Sequence, residues 1–100
     1  MSIFSLYILR CSDNTLYTGI ATDVNARIAQ HENGSRGAKY LRGKGPLKLE
    51  FAAEVGDRAL ATRLEHRVKR LSRSRKEALI RGDESLPGLF RGQESDSGRA

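Results

Sequence analysis

Two short apolar and aromatic runs at the amino terminus, parted only by Ser12-Asp13-Asn14, constrain the fold more than any other feature. Phe4 to Cys11 and Thr15 to Ala21 are rich in Tyr, Ile, Leu and Thr and flank a polar turn cluster, a pattern that predicts a β-hairpin. Asn14 suits the left-handed position of a type I turn closed by a bulge. That turn sets Cys11 opposite Thr15, Leu9 opposite Tyr17 and Tyr7 opposite Gly19. Alternation then puts Phe4, Leu6 and Ile8 on one face with Leu16, Thr18 and Ile20, the expected core face. Tyr7, Leu9 and Cys11 share the other face with Tyr17, Gly19 and Ala21. Tyr7 and Tyr17 become diagonal neighbours, and Gly19 leaves room beside the Tyr7 ring. A two-residue turn would slip the register by one and send the tyrosines to opposite faces.

Downstream, Thr22 or Asp23 is suited to cap a helix running to about Glu32, with Val24 and Ile28 as its buried stripe and Asn33-Gly34 as its stop. Arg27 and His31, four apart, share a face of that helix. Gly34 to Pro46 reads as a basic, glycine-containing loop. Leu47 to Val55 alternates Leu47, Leu49, Phe51 and Ala53 with Lys48, Glu50 and Glu54, which predicts a third strand with one buried face. Asp57 caps the clearest helix, where Leu60, Leu64, Val68 and Leu71 recur at helical spacing and Glu65 borders the stripe. Ser74 and Glu77 have the spacing of a capping box for a last helix through Ile80, stopping at Gly82. The expected organisation is one α+β domain over residues 1–82, β-β-α-β-α-α, followed by a flexible tail over 83–100 from which Leu86, Leu89 and Phe90 can dock.

A chain of 100 residues with 38 % apolar content has material for one modest core. Its longest apolar run, Ile3 to Leu9, falls far short of the roughly 20 residues a membrane span needs. No membrane partner is expected, and neither a basic leader nor a cleavage pattern marks a secretory signal. The single cysteine, Cys11, has no disulfide partner within the chain and offers no zinc cluster, which suits a reducing cytoplasmic setting. Lys and Arg number 18 against 12 Asp and Glu, a net charge of +6 with pI near 10.0, so polyanions are the natural partners. The chain is expected to act as a monomer or weak dimer.

The series Leu6-Tyr7-Ile8, Leu16-Tyr17-Thr18-Gly19-Ile20, Ala26-Arg27 with His31, Gly37-Ala38-Lys39-Tyr40-Leu41-Arg42-Gly43, and Glu65 resembles the GIY-YIG nuclease family, and within it the small single-domain YhbQ-like branch. The resemblance covers roughly residues 4 to 82. It implies a small three-stranded antiparallel sheet flanked by helices, in agreement with the element order read above. Ser5-Leu6-Tyr7 stands where the family has Gly-Ile-Tyr, and Thr18 replaces the central Ile of the second tripeptide. Both tyrosines are retained.

What the resemblance implies chemically is phosphodiester hydrolysis, which needs an activated water and positive charge on the developing oxyanion. By similarity, Tyr17 is the base, Tyr7 orients the water or the scissile phosphate, and Arg27 bonds the phosphate oxygens. His31 is a competing base or an orienting partner for a tyrosine hydroxyl. Glu65, the only matched carboxylate, implies one Mg²⁺ or Mn²⁺ held with waters and substrate phosphate. Arg36, Lys39, Arg42 and Lys44 in the loop, with Arg63, Arg67 and Arg70, are candidates to grip nucleic acid, DNA ahead of RNA, in a largely sequence-blind way. A role in DNA repair or processing would follow. Two rivals use the same residues differently: a non-catalytic DNA- or RNA-binding module on the same fold, and a protein-interaction adaptor docking through its basic helix or its tail.

Overall fold

The turn over Ser12-Asp13-Asn14 forms as its chemistry requires. Asn14 adopts φ 71°, its N–H donates to the Cys11 carbonyl at 2.8 Å, and the Cys11 N–H donates to the Thr15 carbonyl at 2.9 Å. Asp13 Oδ1 accepts from the backbone and the hydroxyl of Thr15, at 3.1 and 2.6 Å. This fixes the pairing of β1 (Phe4–Arg10) with β2 (Leu16–Ala21) so that Tyr7 faces Gly19 and Leu9 faces Tyr17. Then come α1 (Val24–Asn33), β3 (Lys48–Gly56), α2 (Arg58–Lys69) and α3 (Arg73–Arg81). The three strands form one antiparallel sheet of order β2-β1-β3, an α+β architecture. The computed structural model describes residues 2–33, 45–83, 85 and 86, and the chain divides into two compact units, Met1–Lys69 and Arg70–Ala100.

Only the Leu6 and Ile8 face was expected to be core, yet the central strand is covered on both sides: Leu6, Tyr7, Ile8 and Leu9 are each at most 1 % exposed. The tyrosine face has its own cluster of Tyr7, Leu9, Cys11 and Ala21, onto which Tyr17, Val24, Ile28 and Leu47 pack. The apolar stripe of α1 is the cause, since burying Val24 and Ile28 requires an apolar surface and this face supplies one. Helix α2 packs against all three strands and buries Ala61, Leu64 and Val68.

The third strand departs from simple alternation. Ile8 pairs with Phe51 but Leu9 pairs with Leu49, so Glu50 is an extra residue, a β-bulge. Directly paired residues share a face, so Leu47 and Leu49 lie on the Leu9 side while Phe51 and Ala53 lie on the Leu6 and Ile8 side. Leu49 is consequently 40 % exposed at the sheet edge rather than buried as expected. Glu50 accepts a 2.7 Å charge-assisted bond from Arg10 Nε, which holds the bulge to the central strand.

Asp23 and Asp57 cap α1 and α2, accepting from Ala26 N–H at 3.1 Å and Leu60 N–H at 2.9 Å. Glu32 Oε2, near the other end of α1, accepts the Leu47 N–H and ties the helix to the approach of β3. In the second unit the capping box does not form. Ser72, not Ser74, is the N-cap of α3, and its hydroxyl accepts from Arg75 N–H, while Glu77 pairs with Arg73 one turn back at 3.1 Å. An arginine four residues before Glu77 offers it a charged partner, which the capping-box reading overlooked. Gly82 closes the helix in the left-handed conformation, φ 88°. Leu86 is buried; Leu89, Phe90 and the rest of the expected tail lie outside the described residues. Among the described residues no helix is long and apolar enough to cross a membrane.

Candidate active site

Four elements of the first unit bring the matched residues together. Tyr7 comes from the central strand, Tyr17 and Gly19 from its hairpin partner, Arg27 and His31 from α1, and Glu65 from α2. Hairpin register places the two tyrosine rings 6.5 Å apart between centroids, tilted by 41°. The four-residue spacing on α1 then sets His31 over them. Its Nε2 lies 3.2 Å from the Tyr7 hydroxyl, and its ring meets Tyr17 edge to face at 5.8 Å.

Gly19 makes this packing feasible. A Cβ added there would lie 2.6 Å from the Tyr7 hydroxyl oxygen and 2.7 Å from its ring, closer than a real Cβ tolerates, and a tight 3.2 Å from the Tyr17 ring. The tyrosine hydroxyl occupies the space that a side chain at position 19 would claim.

Burial pushes the Tyr7 phenol up to about 12, with the neighbouring Tyr17 adding to the rise, while Arg27 pulls the other way through its charge and a hydrogen bond. A guanidinium only donates, so what Arg27 offers is received by the Tyr7 oxygen, and the O–H proton is left for His31 Nε2. Burial, then repulsion from Arg27, holds His31 below the ordinary imidazole value, so the ring is neutral and able to accept that proton. Arg27 itself is exposed, its Nη1 donating to Gln30 Oε1 at 3.3 Å.

Glu65 is one turn before Lys69, whose ammonium lies 3.3 Å from Glu65 Oε2 and 6.0 Å from the Tyr17 ring centroid. An ion pair of Glu65 with one of its neighbours Arg63, Arg67 and Lys69 is readable from the sequence, and Lys69 forms it. What sequence reasoning missed is the place of Lys69 beside Tyr17, since nothing in the chain announced that α2 would carry the pair there. For a divalent ion the donor chemistry fits: Glu65 offers a single hard carboxylate, and Mg²⁺ or Mn²⁺ commonly takes one such ligand with waters and a substrate phosphate. Among the described residues no group of three His, Cys, Asp or Glu side chains forms a closed cage.

The expected grip residues divide. Arg63 is exposed on α2, whereas Arg67 is half-buried with its Nη1 shielded from solvent, so it presents less of its fork outward. Arg70, in the second unit, is exposed. Arg36, Lys39, Arg42 and Lys44 lie outside the described residues.

Two tyrosines from adjacent strands thus meet an arginine and a histidine from the next helix and a glutamate from a later one, the set the resemblance led one to expect, and residues 3–78 match the GIY-YIG catalytic domain model. The chain belongs to the GIY-YIG family. Its relatives lie in the small YhbQ-like branch. It is 53 % identical over 90 residues to the UPF0213 protein YhbQ of Salmonella arizonae, covering 90 % of this chain and 89 % of that one. It is 52 % identical to a UPF0213 protein of an Enterobacter species, over 85 % of this chain and 82 % of that one. The solution NMR structure of a UPF0213 protein from Bacillus halodurans, 45 % identical, superposes with a TM-score of 0.50, covering 78 % of this chain and 82 % of the other.

Proposed function

We propose that this protein is a metal-dependent endonuclease that hydrolyses phosphodiester bonds in nucleic acid, DNA ahead of RNA, with little regard to sequence. The observation carrying this reading is the convergence of Tyr7, Tyr17, Arg27 and His31 with the Glu65–Lys69 pair at one corner of the sheet. A water could be deprotonated by Tyr17, the less buried of the two tyrosines, with the Lys69 cation set over its ring where negative charge develops. Tyr7 suits a different task. With its phenol raised to about 12 it stays protonated at neutral pH and serves as a hydrogen-bonding post, held by Arg27 and His31. Arg27, exposed beside it, is available to a phosphate oxygen. A Mg²⁺ or Mn²⁺ ion, when bound, would be held by Glu65 and would supply Lewis-acid stabilisation of the phosphate. Residues 1–82 are taken as the catalytic body, and a place in DNA repair or processing follows from that activity.

The test is cleavage of labelled single-stranded, duplex and branched DNA and RNA with Mg²⁺ or Mn²⁺. Tyr17→Phe and Glu65→Ala are each expected to reduce turnover by about 10²–10⁴-fold while substrate binding persists. Tight binding without turnover by any form, in either metal, would replace this reading with a non-catalytic binding module.

A further inference from the structure

Arg27, which borders the tyrosine cluster, also lines a groove of about 360 Å³ at the β2 edge of the sheet, and of the matched catalytic residues only Arg27 does so. The floor is Phe4 and Ile20, both half-buried, from the ends of β1 and β2 and on the sheet face opposite the tyrosines, so Arg27 is the group the two sites share around that edge. One wall is the α1 face bearing Ala26, Arg27 and Gln30, and the opposite wall is Arg58, the first residue of α2.

Arg58 has no evident structural task. It sits at the end of α2 where the helix dipole disfavours a cation. It is exposed, and it has no ion-pair partner among the described residues. Asp23 also lines the groove, but its Oδ1 is engaged in capping α1. The groove therefore presents two guanidiniums against one capped carboxylate, above a floor able to take an apolar ring edge. Its volume is at the small-molecule end of binding pockets and far below what a duplex needs.

We infer that this groove is a subsite for the nucleotide adjoining the scissile phosphate, with Arg58 bonding that nucleotide's phosphate and Phe4 and Ile20 packing on its sugar or base. Continuity decides the assignment: Arg27 belongs to both the groove and the tyrosine cluster, so a strand whose phosphate meets Arg27 has its next unit directed toward Arg58. The inference rests on the nucleic-acid reading above but not on turnover.

The experiment measures binding of a short fluorescein-labelled single-stranded oligonucleotide by the full chain, by anisotropy across a salt series, with cleavage of the same strand followed in parallel. Arg58→Gln is expected to weaken binding about tenfold and to reduce the salt slope by about 1. Ala26→Glu, an exposed change near the start of a helix where an acid is welcome, places negative charge in the groove and should weaken binding similarly. Lys48→Gln, at the opposite end of the sheet, is the charge-matched control. If Arg58→Gln and Ala26→Glu bind like wild type or like Lys48→Gln while wild type cleaves, the groove inference falls and the nuclease reading stands. If both weaken binding but no form cleaves, the nuclease reading falls and the subsite remains. No binding by wild type overturns both.

Discussion

Gly19 is the residue on which the tyrosine arrangement turns. A methyl group there would meet the Tyr7 hydroxyl oxygen at 2.6 Å and its ring carbon at 2.7 Å, and Tyr7 is 1 % exposed, so any shift of its ring disturbs a packed core. Gly19→Ala is expected to destabilise the protein by about 1–3 kcal/mol, the usual range for overpacking, read from urea denaturation, and to depress cleavage further by displacing Tyr7 from His31. A variant with wild-type stability and activity would show that the cluster is more compliant than its packing implies. Tyr7 also carries a pH signature. Its phenol is held at about 12 in the folded chain against 10.0 as a free group. Below 10.0 both states keep the proton; between 10.0 and about 12 the unfolded chain releases it and the folded chain does not, so stability falls as pH rises through that window. The loss is on the order of 2 kcal/mol. Tyr7→Phe, having no such proton, should show a shallower decline in stability above pH 10, and an unchanged decline would assign the alkaline loss to other groups.

At the scale of elements, α2 positions the metal-binding candidate and its competitor together. The Lys69 ammonium lies 3.3 Å from Glu65 and would be displaced or crowded by a divalent ion at the same carboxylate. Lys69→Gln is expected to lower the Mg²⁺ concentration giving half-maximal cleavage by about threefold or more, whereas Lys69→Arg, which keeps the charge, should not. An unchanged metal requirement in Lys69→Gln would separate the ion pair from metal binding. Much of the element-level structure was legible in the chain. The turn residues set the hairpin register, and with it the diagonal tyrosines; Asp57 marked one helix start, and the other lay open between Thr22 and Asp23 until the structure gave the cap to Asp23. Local signals did not reveal the bulge at Glu50, because it is stabilised by Arg10, 40 residues away in sequence, and the periodicity of Leu49 and Phe51 reads as unbroken without that partner. The same holds for Lys69, whose proximity to Tyr17 depends on how α2 packs on the sheet, and for Ser72, chosen over Ser74 once Arg73 had engaged Glu77.

For the whole molecule, the proposed nuclease reading together with a net charge of +6 predicts recognition of the backbone rather than of bases. Phosphate neutralisation releases counterions, and affinity then falls steeply with salt. With about four phosphates contacted, a slope near −0.9 per phosphate predicts a loss of about 10²-fold in affinity between roughly 50 and 200 mM salt. Permuting the sequence of a fixed-length substrate, by contrast, should change affinity by less than about tenfold, because contacts to phosphate carry no base information directly. The two series separate the possibilities cleanly when done on the same strands. A steep salt dependence with flat sequence dependence fits a structure-directed nuclease built on Arg27, Arg58 and Arg63. A weak salt dependence with strong discrimination among permuted sequences would mean that base edges are read by groups not assigned to the site. The basic surface would then serve encounter more than the bound complex.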